Sequence, residues 1–234
     1  MYSKKLDNAA EIIHRIPSGS TIMSGGFGLC GIPENSIQII SESTIDNLTV
    51  ISNNLGNSGL GLVSWLKKNK IKKGICTYVG GNPDLEERIL NNKIEIELVP
   101  QGTFIERIRS AGHGIPGFYT KTGVGTEVEQ GKETKYFNEE KYILETALHA
   151  DYALIKASIG DEFGNLYFEG ASKNFSMAMA MAAKTTIVEV EKLVPIGEIS
   201  PNVIHLPGLF VDHIYQGEQY KNTIEKLILK DSKD

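Results

Sequence analysis

The sequence predicts an α/β fold, an open and mostly parallel sheet with helices on both faces. Three observations carry that expectation. Apolar strand-like runs alternate with helix-period segments four times in the first half of the chain, the pattern of parallel strands joined by crossover helices. A glycine-rich loop, Ser24 to Glu34, joins the first run to its helix. At 234 residues the chain is long enough for one large domain with a substantial core, and two would be cramped. No repeat, low-complexity tract or linker divides it, so one domain over 1–234 is expected.

Residues 7–15 place Ala9, Ala10, Ile12 and Ile13 at helical spacing with Asp7 as cap, and Pro17-Ser18-Gly19 ends that helix. Ser20 to Met23 reads as the first strand. Pro33 suits the first helical position after the loop, because its missing N–H has no intrahelical partner there. Leu48 to Ser52 is the second strand, and a helix starts within Gly59 to Leu66. Ile75 to Val79 is the third strand, Asp84 to Leu90 a helix with acidic residues in its first turns, Ile94 to Val99 the fourth strand and Thr103 to Ser110 a helix. The glycine-rich stretch Ala111 to Thr126 lacks a period and reads as a long functional loop. Glu127 to Leu148 mixes polar strands and turns, with Gly131-Lys132 as a hairpin tip. Ala153 to Ala157 is again a buried strand, followed by a turn at Asp161 to Asn165, a Met/Ala-rich helix over 176–183 and a final core strand from Thr185 to Val190. Tyr220 to Leu229 reads as an amphipathic terminal helix.

In open sheets of this kind ligands sit beyond the carboxyl ends of the strands. The residues there are Gly25-Gly26, Asn53-Asn54, Gly80-Gly81-Asn82 and Pro100-Gln101-Gly102, rich in neutral donors and short of acids and bases. Four glycines within Gly25–Gly31 let a ligand approach the main chain without meeting a Cβ. Outward-facing N–H groups, helped by the adjacent helix N-terminus, make the loop a candidate anion or oxyanion site.

The net charge of −5 argues against nucleic acid or an anionic membrane as main partner. Two cysteines, Cys30 and Cys76, do not make a disulfide scaffold in a chain of this size. The N-terminus lacks an apolar signal core and no apolar run approaches spanning length. A cytoplasmic protein is expected.

Gly25-Gly26-Phe27-Gly28-Leu29-Cys30-Gly31-Ile32-Pro33-Glu34 resembles the glycine-rich signature of family I CoA-transferases, in the half called alpha or A. The resemblance continues through Ser52-Asn53-Asn54, Tyr78-Val79-Gly80, Pro100 to Thr103, Glu106 to Arg109, Thr122 to Thr126, Asp161 to Asn165, Lys173-Asn174-Phe175 and Pro207-Gly208. Within the family the chain is most similar to the succinyl-CoA:3-oxoacid branch, with the acetate or butyrate–acetoacetate enzymes close behind. The resemblance implies an obligate A/B pair, a hetero-oligomer for which A₂B₂ is expected with AB as the alternative, with no tightly bound cofactor, no metal, and a coenzyme A thioester and a carboxylic acid as substrates. It implies a glutamyl-CoA thioester on the B subunit, in a Glu-Asn-Gly motif that neither Glu34-Asn35-Ser36 nor Glu169-Gly170-Ala171 matches. It also implies Asn53 at the oxyanion site, Gln101 against the acyl substrate, and Gly25, Gly26, Phe27, Gly28, Leu29, Cys30 and Gly31 close to CoA. Such donors need not titrate when the nucleophile is a partner's carboxylate.

Departures from the family pattern bear on the acyl substrate. Leu55-Gly56-Asn57-Ser58-Gly59 replaces an acidic and aromatic turn, His113 stands where alanine is usual, and Lys173 and Ser176 where arginine and asparagine are. The loop spacing Gly26-x-Gly28-x-x-Gly31 also fits a dinucleotide-binding turn, and a stand-alone dinucleotide or sugar-phosphate binder is the rival reading. Against it, the second strand ends in Asn53-Asn54 rather than in an acid. Cys30 is read as a small filler rather than a nucleophile, His113 as incidental, Asn174-Phe175 as a helix cap, Met177, Met179 and Met181 as packing, and Glu34 as a helix-dipole partner.

Overall fold

A computed structural model describes residues 2–221 of the chain. Its main sheet is built from β1 (Thr21–Ser24), β2 (Leu48–Ile51), β3 (Ile71–Cys76), β4 (Glu95–Leu98), β8 (Ala150–Asp161), β9 (Leu166–Tyr167), β10 (Ala183–Val194) and β11 (His213–Gln216). Seven of these lie in the order β11-β10-β8-β1-β2-β3-β4, all parallel to their neighbours, and the short β9 pairs antiparallel with β8. Three further strands, β5 (Gly117–Thr120), β6 (Thr134–Phe137) and β7 (Glu140–Thr146), make a separate antiparallel sheet, ordered β5-β7-β6.

Both faces of the main sheet are apolar, as parallel strands with crossover helices require. Neighbouring residues along a strand point to opposite faces. Ile22, Val50, Leu154 and Ile187 therefore join one buried cluster, while Met23, Ile51, Ile155 and Val188 join the other. The first cluster is covered by α1 (Ala9–Ile13), α2 (Glu34–Glu42), α3 (Val63–Lys67) and α4 (Pro83–Leu90). The second is covered by α5 (Gln101–Gly112) and α6 (Ser176–Ala182), through Phe104, Ile108 and Met179. Trp65 of α3 is fully buried, and its indole N–H donates to the Ile37 carbonyl at 2.8 Å, fixing α3 against α2. Arg107 pins α5 down by donating to Glu97 of β4 at 2.8 Å and to the Thr146 carbonyl of β7 at 2.9 Å.

The chain runs from β1 outward through β2, β3 and β4, then returns past α5 to lay β8 on the other side of β1. The order reverses between β1 and β8, and a crevice at the carboxyl ends opens at such a point.

Several boundaries differ from the sequence-based expectation, for identifiable reasons. Asn8, not Asp7, caps α1, its side chain accepting from the Ala10 N–H. Pro33 is the cap residue of α2 rather than its first helical position. β3 begins at Ile71 because Lys73 pairs across the strands with Glu95 at 2.7 Å and Glu97 at 3.4 Å, and it ends at Cys76 because Thr77 turns to bond Asn53. Within Ala111–Thr126 lies β5, so that stretch is not one long loop. The tip of the β6–β7 hairpin is Asn138-Glu139, both at positive φ (48° and 66°), rather than Gly131-Lys132. β10 is not the last strand, since β11 adds to the sheet edge. The helix expected over Tyr220 to Leu229 lies, from residue 222 onward, outside the described residues.

Candidate active site

The tips of β1, β2, β3 and β4 stand side by side, and adjacent strands lie about 4.8 Å apart. The first residues beyond them therefore fall within reach of one another. Asn53, just past β2, is buried, with only 5% of its surface exposed. Its Oδ1 accepts the Gly28 N–H of the loop after β1 at 3.0 Å. That bond fixes the amide orientation, so Nδ2 faces the other way. There it donates to Thr77 Oγ1, past β3, at 2.8 Å and to Gln101 Oε1, past β4, at 3.5 Å. The last distance is at the edge of hydrogen bonding. Thr77 completes the set by donating through Oγ1 to the Asn53 carbonyl at 3.0 Å. The structure thus brings Asn53, Gln101 and the glycine loop together, and none of these groups is a carboxylate.

Gln101 is exposed and opens α5, with Pro100 as its cap residue. The N–H groups of Gln101, Gly102 and Thr103 precede the first intrahelical bond, Phe104 N to Pro100 O at 2.8 Å. Phe27 and Tyr78 flank the site with half of their surface in solvent, 50% and 58%.

The loop itself is a tight reversal. Phe27 and Cys30 exchange both backbone hydrogen bonds at 3.0 Å. Leu29 turns its side chain into the core, whereas Cys30 is half-buried. Gly26 and Gly31 sit at positive φ (119° and 73°). A Cβ on Gly26 would come to 2.6 Å from Ile32, and one on Gly31 to 2.9 Å from the Ser172 carbonyl oxygen. Only glycine is tolerated at either place. Gly25 N donates to the Leu154 carbonyl at 2.9 Å and Gly26 N to Asn174 Oδ1 at 3.2 Å. The Leu29, Gly31 and Ile32 N–H groups have no acceptor among the described residues.

One expectation is corrected. The N-terminus of α2 is not open to an anion, because Glu189 of β10 already occupies it. Its carboxylate accepts the Asn35 N–H at 3.2 Å, the Ser36 N–H at 2.8 Å and the Tyr215 hydroxyl at 2.9 Å. Glu189 is fully buried, and that burial pushes its carboxyl above the ordinary range despite the three donors. The signal for it was a lone acid inside the apolar run Ile187-Val188-Glu189-Val190. Asn174 is corrected too: α6 receives no side-chain cap, and the Asn174 amide reaches back to the glycine loop. Thr77 is not evident from the sequence, where the apolar run carries β3 through it to Val79.

His113 ends α5 with Nδ1 on the Arg109 carbonyl at 2.8 Å, and among the described residues it meets none of the site groups. Cys30 and Cys76 are both free thiols. Among the described residues no group of His, Cys, Asp or Glu has the arrangement to hold a metal ion, and no helix is long and apolar enough to cross a membrane.

The comparisons with known proteins give the family. The family model described as coenzyme A transferase matches residues 6–217. The A subunit of the succinyl-CoA:3-ketoacid coenzyme A transferase of Helicobacter pylori (strain J99 / ATCC 700824) is 48% identical over 231 residues, covering 99% of this chain and 100% of that one. The human mitochondrial succinyl-CoA:3-ketoacid coenzyme A transferase 2 is 39% identical over 242 residues, 96% of this chain and 47% of its own length. Among solved structures, the apoenzyme of an acyl-CoA transferase from Escherichia coli O157:H7 superposes with a TM-score of 0.82 at 22% identity, over 92% of this chain and 47% of that one. With Asn53 buried and committed where a dinucleotide binder would carry an acid, the dinucleotide reading falls. The chain belongs to the coenzyme A transferase family.

Proposed function

We propose that this CoA-transferase is the A half of an enzyme moving coenzyme A from succinyl-CoA to a 3-oxoacid such as acetoacetate. Relatives at 48% and 39% identity carry succinyl-CoA:3-ketoacid in their names. The partner is a B subunit, in an A₂B₂ assembly in the cytoplasm, and no tightly bound cofactor takes part. A glutamate of that partner attacks the thioester carbonyl, forming an anhydride and releasing the CoA thiolate. The thiolate then attacks the glutamyl carbonyl, giving an enzyme thioester and the free acid, and the same steps run in reverse with the acceptor acid.

The observation that carries this reading is the neutral amide cluster at the strand tips. Charge develops on acyl oxygens during both attacks, and preorganised donors lower that barrier without titrating. Asn53 Nδ2 has one weakly used hydrogen, the one facing Gln101 Oε1 at 3.5 Å. An acyl oxygen takes that place with little loss, and Gln101 swings to meet the carboxylate or keto group beside the first amides of α5. Gly25 to Gly31 form the wall on which the CoA thioester rests.

The test is Gln101→Ala in the assembly with the B subunit, over a panel of acids. KM for the acid should rise about tenfold, the worth of roughly one hydrogen bond to a charged group, with KM for the acyl-CoA unchanged. Equal weakening of both substrates removes Gln101 from its assigned place.

A further inference from the structure

The glycine loop is held from two sides, and only one hold, that of Asn53, follows from the proposed chemistry. The other comes from the segment before α6. Asn174 Oδ1 accepts the Gly26 N–H at 3.2 Å, while its Nδ2 donates to the Cys30 carbonyl at 3.2 Å and to the Ala171 carbonyl at 3.0 Å. One side-chain amide therefore bridges the start and the end of the Gly26–Cys30 reversal. The same oxygen also takes the Phe175 N–H at 2.7 Å, which ties the clamp to the start of α6. Phe175 in turn stacks on the half-exposed Phe27, with ring centroids 6.4 Å apart and planes inclined by 25°. Phe175 is itself packed edge-on by Phe104 of α5, the helix that begins with Gln101.

We propose that Asn174 is a positioning residue for CoA transfer, setting the width of the glycine loop and coupling it through Phe175 to the helix that carries Gln101. An amide suits this place because it offers an acceptor and a donor side by side on one rigid plane. No charged side chain of that size offers both. Asn53 fixes the middle of the reversal at Gly28 and Asn174 fixes its ends, so the two residues act on different amides. Neither bond alone decides whether the domain folds, since the two large apolar clusters of the core are built from residues outside the Gly26–Cys30 reversal.

The kinetic consequence rests on the reading that this loop meets the CoA thioester, but the structural consequence does not, and the test separates them. In the assembly with the B subunit, Asn174→Ala should speed amide exchange at Gly26 about tenfold or more, as expected for a lost hydrogen bond of ordinary strength. Gly28, held by Asn53, should keep its rate. Exchange is read at single-residue resolution by mass spectrometry with electron-transfer fragmentation. In the same variant kcat/KM for the acyl-CoA should fall about 10- to 100-fold, the cost of a misplaced reacting group, with KM for the acid unchanged. Unaltered exchange at Gly26 overturns the clamp. Faster exchange at Gly26 with unaltered kinetics overturns the positioning role. Acceleration of all protected amides together reduces Asn174 to a general structural part and also overturns it. Should Asn174→Ala fail to fold, Asn174→Asp keeps the acceptor for Gly26 and Phe175 and loses the donor to Cys30 and Ala171. An acyl-CoA KM unchanged in that variant overturns the proposal. A silent Gln101→Ala beside the expected Asn174 results would remove the acyl-site reading and leave the clamp in place.

Discussion

Replacing Asn53 by alanine and by aspartate separates two roles that its side chain combines. Alanine removes the acceptor of the Gly28 N–H and the donor to Thr77 and Gln101. Leaving a partly buried N–H unsatisfied costs about 1–3 kcal/mol, and at about 2–4 °C per kcal/mol for a chain of this size the melting temperature drops by several degrees. Aspartate keeps an oxygen in front of Gly28, so the loop stays anchored and the melting temperature moves less. It also replaces Nδ2 with a second carboxylate oxygen, an acceptor where a developing oxyanion needs a donor. Loss of one such donor typically costs about 10²–10³ in rate, and a like charge adds to that. Steady-state transfer between succinyl-CoA and acetoacetate, measured with the B subunit beside thermal melts, should therefore rank Asn53→Asp at or below Asn53→Ala in turnover while ranking it above in stability. An aspartate variant that turns over like wild type would show that Asn53 only holds the loop, and the oxyanion assignment would fall.

Two other outcomes follow from titratable groups outside the amide cluster. Asp151 accepts from Lys184 Nζ at 2.9 Å and from the Thr21 N–H at 3.0 Å, and these bonds, the lysine first, hold its carboxyl below its ordinary value of 3.8. A carboxyl lowered on folding adds stability above its unfolded value and loses it as pH falls through the folded one. The melting-temperature gap between wild type and Asp151→Asn should be constant from pH 7 to 5 and close below about pH 4; a gap that widens on acidification contradicts the assignment. Burial pushes the Cys76 thiol up to about 11. Iodoacetamide at pH 8 should then label the half-buried Cys30 first and Cys76 only after unfolding, and equal labelling of the native protein would contradict its inert environment.

The parallel sheet was legible because its signal is redundant in the first half of the chain, where strand-like runs and helix-period segments alternate four times. β2 and α4 lie within a residue or so of where the pattern puts them. What failed were the elements set by long-range pairing. The lysines of β3 look like a loop until Glu95 and Glu97 are seen beside them, and the Asn138-Glu139 turn lacks the glycine that marks most such hairpins. β11 is a four-residue edge strand with too little sequence to show a period. Within the site, the placement of Asn53 and Gln101 beside the glycine loop was legible because strand-end position does not depend on distant contacts, whereas their roles came from the family resemblance. Thr77 and Asn174 were not legible. Thr77 required the true end of β3, and Asn174 required knowing that a residue 144–148 positions away in sequence returns to the glycine loop. Glu189 was missed: the run from Thr185 to Val190 read only as a core strand, and the destination of its one acid, the α2 N-terminus, lies far away in sequence.

The central claim is that this chain supplies donors and a partner supplies the nucleophile. Intact-mass spectrometry of the co-purified A and B chains after incubation with succinyl-CoA tests it directly. A CoA adduct on the B subunit, with this chain unmodified and inactive when purified alone, is the predicted result. An adduct on this chain, or transfer by this chain without a partner, would contradict it.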